Sequence, residues 1–164
     1  MGSGGRFGVV GHGCCRIFLV RHGQTVMNTQ VRFRGRRDVP LDAVGRGEAE
    51  EAARGLAGEG LSAVYSSPLG RAIEVASAIT GACGVGAVRP LDALINLDYG
   101  EWEGLTREES AATHPEAFER YLHDPEQAVC PGGEAVACAA DRVVAALRKL
   151  AARHPNGERV AAVS

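Results

Sequence analysis

The residues best suited to chemistry stand together at Arg21-His22-Gly23, where the apolar run Ile17-Phe18-Leu19-Val20 stops. Such a run reads as a buried strand. Its end delivers a guanidinium and an imidazole side by side into a glycine-containing turn, and carboxyl ends of strands in open α/β sheets are where ligands bind. A second cation, Arg71, lies one turn into a helix entered at Ser66-Ser67-Pro68, directly after the strand-like stretch Leu61 to Tyr65. In a parallel sheet both strand ends fall on one edge, so Arg21, His22, Arg71 and a helix N-terminus can converge. Two guanidinium forks with backbone N–H groups suit a tetrahedral dianion. A neutral imidazole among them is a nucleophile for phosphorus. The arginines then stabilise the transferring group, and neither a metal nor a cofactor is called for.

The elements that must position these groups follow from pattern and punctuation. Residues 1–15 are Gly-rich and read as a flexible tail; 16–164 read as one domain. A strand over 16–21 leads into a loop, 22–40, that carries Arg32, Arg34, Arg36 and Arg37. A helix starts at Pro40-Leu41-Asp42 with Asp42 as N-cap, runs to about Gly58, and puts Ala49, Ala52, Ala53 and Leu56 on one face. The Arg71 helix continues to Thr80, with Gly81 near its end. Val85 to Arg89 reads as a third strand, 94–104 as extended or looped, and two short helices follow, split by Pro115. Pro131-Gly132-Gly133 is a turn, Glu134 to Arg153 a long helix, Pro155-Asn156-Gly157 a turn, and Arg159 to Val163 a fourth strand. Alternating strands and helices predict an α/β fold with a mostly parallel sheet. The last strand stops at Ser164 without completing its unit, so the expectation is a domain whose C-terminal part is missing.

Composition narrows the function classes. At 45% hydrophobic and 5% aromatic residues, the chain predicts an ordered core of small aliphatic side chains. A net charge of −2 gives no electrostatic argument for nucleic acid. Lys149 is the sole lysine, an arginine bias too broad to be functional by itself. The five cysteines are odd in number and lack zinc spacing, which points to reduced thiols and a cytoplasmic protein. Met1 to Gly13 has no apolar signal-peptide core, and no run is long enough to span a membrane.

Arg21-His22-Gly23-Gln24-Thr25, with Asn28 three residues on, resembles the signature of the histidine phosphatase superfamily, the phosphoglycerate mutase-like clan. The resemblance extends through Gly35 to Leu41, Ser66 to Ala72, Leu94 to Gly104 and Pro131 to Glu134, five segments in the family's order. It implies a three-layer α/β/α sandwich. It also implies a phosphohistidine on His22, a clamp of Arg21 and Arg71, and phosphate binding by Gly23, Thr25 and Asn28. Tyr99 to Gly104 resembles the phosphatase branch, with its α-ribazole and broad-specificity phosphatases, more than the mutases. The expected activity is phosphomonoester hydrolysis; a mutase-like phosphotransferase and a non-catalytic phospho-ligand-binding homologue are the alternatives. The expected partner is a small phosphorylated substrate, with a homodimer left open and neither nucleic acid nor a membrane.

Two departures from the family pattern bear on catalysis. The family's acid position is occupied by Asn96, and an amide cannot protonate a leaving alkoxide. Asp98, Glu101 and Glu103 are the substitutes nearby. The family's second His would follow Val163-Ser164. Val75 and Ala135 stand where hydroxyl residues are common in the family. Cys15 and Arg21 have the C-x5-R spacing of cysteine phosphatases, but the intervening residues form a strand, which puts Cys15 at its opposite end. His12-Gly13 is read as tail, Arg32 to Arg37 as a solvated loop or the rim of an anionic substrate site, and His114, His123 and His154 as surface residues.

Overall fold

The computed structural model describes residues 8–10 and 15–164, with side chains from Cys15 onward. Its strands are β1 (Gly8–Val10), β2 (Arg16–Val20), β3 (Ala63–Ser66), β4 (Arg89–Pro90) and β5 (Arg159–Val163), forming one sheet in the order β1-β2-β5-β3-β4. The last four are mutually parallel, with Phe18 beside Ala161 and Val64 beside Ala161 on the other flank. β1 pairs antiparallel with β2, Val10 opposite Ile17. It falls within the stretch read as tail. There it covers the edge of β2, whose backbone groups would otherwise lack partners. His12 and Cys14 lie outside the described residues.

Side-chain alternation divides the core in two. Phe18, Val20, Val64, Ala161 and Val163 point to one face, where α2 (Ala43–Leu56) and α3 (Gly70–Cys83) pack. Ile17, Ala63, Tyr65, Val160 and Ala162 point to the other, against Leu147 and Leu150 of α6 (Val136–Arg153). The expected three-layer α/β/α arrangement is therefore present. Buried Ala49 and Ala53 of α2 and Ala72 and Ala76 of α3 give the first face its small-residue character, and Val75 is buried in the same core. Asp42 caps α2 as expected, accepting from the Gly45 N–H at 2.8 Å.

A third, aromatic core lies outside the sheet. Trp102 and Phe118 are buried there, with Phe33, Tyr99 and Tyr121 packed around them at centroid distances between 4.7 and 6.4 Å. Its backbone is supplied by a 3-10 turn at Gly100–Trp102 and by the two short helices expected around Pro115, α4 (Arg107–Thr113) and α5 (Pro115–His123). This core fixes one wall of the site.

Several boundaries differ from the sequence reading. α3 begins at Gly70, after Pro68, and passes through Gly81 to end at Gly84, whose φ of +64° forms the left-handed cap. β4 is only Arg89-Pro90, because the Val85 N–H is spent on the Thr80 carbonyl in closing α3 and residues 85–88 remain loop. A short helix, α1 (Val26–Thr29), interrupts the 22–40 loop. His154 is not a surface residue. It is 6% exposed, with Nδ1 2.7 Å from a Glu158 carboxylate oxygen and Nε2 2.9 Å from the Tyr65 hydroxyl. His114 is half-buried, 3.3 Å from Glu101, whereas His123 is exposed as expected. Cys15 is buried at the start of β2, at the opposite end from Arg21.

Candidate active site

The parallel ladders continue one residue beyond the strands. His22 donates its backbone N–H to Ser164 O (2.8 Å), Ser164 donates to Val20 O (3.0 Å), and Ser67 donates to Val163 O (2.8 Å). Arg21-His22, Ser164 and Ser67 are thereby set side by side along the carboxyl edge of the sheet. There they border a cleft of about 340 Å³, a volume suited to a small ligand.

Arg71 reaches this cleft from the first turn of α3. It is 1% exposed, and its two terminal nitrogens donate to the carbonyls of Arg37 (2.6 Å) and Gly35 (2.9 Å). Gly35 adopts φ +53°, and a Cβ there would displace the Glu103 side chain, so glycine suits the bend that presents this carbonyl. The Gly70 N–H is taken by Asp38 at 2.8 Å. The helix N-terminus therefore contributes less to an anion than the sequence suggests. The same bonds strap loop 34–38 onto α3 and bring Arg34 into the cleft beside Arg21 and Arg71.

Arg21, Arg34 and Arg71 form no ion pair with any described carboxylate within 4 Å, and the Nε atoms of Arg34 and Arg71 are buried without a partner. Burial and the neighbouring guanidinium groups push the pKa of Arg34 down, and burial does the same for Arg71. Both remain cations, since guanidinium is not deprotonated in proteins. Arg32 lines the cleft too, but its charge is balanced by Glu109 at 2.9 Å.

His22 lies among these cations, 9% exposed. Its Nδ1 is 2.7 Å from the Gly23 carbonyl, which can only accept, so Nδ1 carries the proton and Nε2 the lone pair. Burial, with the charges of Arg71, Arg34 and Arg21, lowers the pKa to about 4, against the pull of the Gly23 carbonyl. Loss of hydration and repulsion both disfavour imidazolium, so the ring is neutral at pH 7. In the free protein, the NMR titration of the His22 ring should have its midpoint near pH 4. A midpoint near 6.5, the ordinary histidine value, would contradict the cationic surroundings.

Gly23, Thr25 and Asn28 have roles other than lining the cleft. A Cβ on Gly23 would lie 2.3 Å from the Gly45 carbonyl oxygen, so Gly23 lets the turn pack on the start of α2. Gly23→Ala should lower stability by about 1–3 kcal/mol, since backbone must shift to admit the methyl group. Thermal unfolding checks this. Thr25 is fully buried, and its backbone N–H and hydroxyl both donate to Asn28 Oδ1, each at 2.9 Å, closing a capping box on α1. The two residues hold the turn that follows His22.

Asn96 does line the cleft. Its Oδ1 accepts from the Leu97 N–H at 2.8 Å, leaving its amide NH2 as the group it can offer. The three carboxylates considered as substitutes are engaged elsewhere. Asp98 accepts from the Gly100 N–H (2.9 Å) and pairs with Arg36 (3.1 Å). Glu103 accepts from the Arg36 N–H (2.7 Å), and Glu101 faces His114. None borders the cleft. Sequence reasoning missed Phe33, Ser67, Leu69, Tyr99 and Ser164 as lining groups, and placed Arg34 no closer than a rim.

The sequence model of the histidine phosphatase superfamily (branch 1) matches residues 17–164. The chain belongs to this superfamily. It is 34% identical over 141 residues to phosphoserine phosphatase 1 of Hydrogenobacter thermophilus, covering 86% of this chain and 66% of that protein. The fold superposes on Bacillus stearothermophilus YhfR with a TM-score of 0.84 at 31% identity, covering 92% of this chain and 73% of that one. It also superposes on mycobacterial glucosyl-3-phosphoglycerate phosphatase in complex with VO3, with a TM-score of 0.80 at 31% identity, covering 89% and 73%. The chain thus spans just under two thirds of the length of phosphoserine phosphatase 1, and 32% of a mycobacterial bifunctional protein to which it is 42% identical over 120 residues. No helix among the described residues of this histidine phosphatase chain is long and apolar enough to cross a membrane.

Proposed function

We propose that this chain hydrolyses phosphate monoesters through a phosphohistidine on His22. The observation that carries the reading is a neutral imidazole with its Nε2 lone pair free, set among three guanidinium groups without carboxylate partners. Nε2 attacks phosphorus, the bond to the leaving oxygen breaks, and Nδ1–H···O=C to Gly23 steadies the charge that the ring gains. Water then attacks phosphorus, the phosphorus–nitrogen bond breaks with its electron pair returning to Nε2, and phosphate leaves with the water's protons, restoring the neutral ring. Arg21, Arg34 and Arg71 neutralise the phosphoryl oxygens throughout, as fixed donors do in phosphoryl transfer. Relatives named as phosphatases, one in complex with VO3, support the same chemistry. Among the described residues Cys15, Cys83, Cys130 and Cys138 are free thiols, in keeping with a cytoplasmic setting.

Rapid acid and alkaline quenching after mixing with a 32P-labelled phosphate ester tests the mechanism. Acid-labile, alkali-stable label on His22 is the expected result; turnover without label on His22 would sink it. Arg71→Lys keeps the charge but not the fork that holds the Gly35 and Arg37 carbonyls. It should lower kcat/KM about tenfold, through misplacement of Arg34 as well as loss of a bidentate contact. Steady-state kinetics with 4-nitrophenyl phosphate measures this.

A further inference from the structure

We infer that Glu134 is a positioning residue of the cleft: its carboxylate ties the two segments that carry Arg34 and Asn96 to α6, and so holds both side chains at the site of phosphoryl transfer. The inference rests on the hydrolase reading above. It adds a residue that stands outside the groups bordering the cleft and acts through two that line it.

Glu134 follows the Pro131-Gly132-Gly133 turn, a motif that the chemistry above leaves unused. The turn is laced to residues 98–101. Glu101 donates its N–H to Pro131 O (2.8 Å), and Glu134 donates its own to Asp98 O (3.1 Å). A Cβ on Gly133 would collide with that Asp98 carbonyl, so the close approach requires glycine. The Glu134 side chain is thereby set at a junction. Its Oε1 accepts from the Asp98 N–H (3.0 Å) and from Arg142 Nη2 of α6 (2.7 Å), and lies 3.3 Å from Arg36 Nη2.

Both walls depend on this junction. Arg142 donates its other terminal nitrogen, Nη1, to the carbonyls of Ala93 (2.9 Å) and Ile95 (2.8 Å). Asn96 is therefore gripped on either side, at the Ile95 carbonyl and at the Asp98 N–H. Arg36 pairs with Asp98 as well (3.1 Å), and it stands between Gly35 and Arg37, whose carbonyls Arg71 holds. Arg34 lies two residues before it. Ion pairs as exposed as these contribute little to stability. Their effect is on position, because charge-assisted bonds to a planar guanidinium are directional. Without the carboxylate, Arg36 and Arg142 are two like charges brought together on one oxygen, and their repulsion turns Arg36 away and the Arg34 loop with it. A misplacement of about 1 Å can slow a reaction by about 10²-fold. The loss falls on kcat more than on KM, since fixed groups matter most to the transition state.

Glu134→Gln in the full chain tests this. It keeps an oxygen for the Asp98 N–H and removes the charge between Arg36 and Arg142. With 4-nitrophenyl phosphate, kcat should fall about tenfold while KM stays within about twofold of the parent. Glu158→Gln is the comparator. It weakens the bond to His154 at the opposite end of β5 from the cleft, so it should lower the unfolding temperature and leave kcat unchanged. In the Arg34→Ala and Asn96→Ala backgrounds the cost of Glu134→Gln should shrink, because less remains to be positioned. If Glu134→Gln fails to fold, Arg142→Lys carries the same test: an ammonium cannot span the two carbonyls and the carboxylate together, and the same loss of kcat is expected. Parental kcat in the folded variant, an equal loss in Glu158→Gln, or full additivity in both backgrounds would each overturn the inference and leave the hydrolase reading standing. Absence of turnover by the parent would overturn the hydrolase reading and the inference with it.

Discussion

His22→Asn should lower the turnover of 4-nitrophenyl phosphate by at least about 10⁴-fold, a barrier increase of more than about 5 kcal/mol. Asparagine is the informative replacement. Its amide can still donate to the Gly23 carbonyl, the bond that the ring makes through Nδ1 at 2.7 Å, so the turn keeps its anchor. What disappears is the Nε2 lone pair. The three unpaired arginines remain, and so do the backbone bonds from His22 to Ser164 and from Ser67 to Val163. Vanadate or inorganic phosphate should therefore still protect the variant against thermal unfolding, since a ligand that binds only the folded state stabilises it. The measurement pairs kcat with the thermal shift. Activity within tenfold of the parent would remove His22 from the chemistry, and loss of ligand protection would mean that the ring was also holding the arginines in place.

Arg21, His22 and Arg71 were legible in the sequence as residues of one cleft because each falls at a position that strand and helix periodicity define. β5 was legible for the same reason: Arg159 to Val163 is a short apolar run bounded by Pro155-Asn156-Gly157. Arg34 was not legible as a cleft residue. Its place depends on carbonyls of loop 35–37 being captured by Arg71 and on Gly70 being captured by Asp38, contacts that only the folded chain creates. His154 shows the same limit. Beside Pro155 in a polar stretch it reads as exposed, yet Tyr65 and Glu158 give both ring nitrogens partners in the interior. Thr25 and Asn28 were recognisable as a motif, but a motif names residues and not their contacts. Here the contact is with each other, and the benefit to the site is a fixed turn after His22. Gly81 and Gly84 could each end a helix. Packing of Ile79 and Cys83 against the core carries the helix on to the second.

Asn96→Glu should raise kcat for n-butyl phosphate by about 10²-fold, and for 4-nitrophenyl phosphate by no more than about threefold. The difference between the two substrates is the content of the prediction. A carboxyl at position 96 borders the cleft, where it can protonate a leaving alkoxide; nitrophenolate gains little from a proton. The neighbouring charges set the conditions. In the empty cleft Arg21, Arg34 and Arg71 would hold a new carboxyl ionised, and an ionised carboxylate is no acid. Bound substrate brings negative charge into the same cleft, offsets the arginines and returns the carboxyl toward its protonated form. The gain should therefore appear in kcat more than in kcat/KM, and should shrink as pH rises through the pKa of the new group in the complex. Asn96→Asp, one methylene shorter, is the control for reach. Equal gains on both esters would mean that residue 96 acts through binding rather than proton transfer. Unchanged rates on both would mean that leaving-group departure is already assisted, and that charge from the arginines alone suffices for an alkoxide.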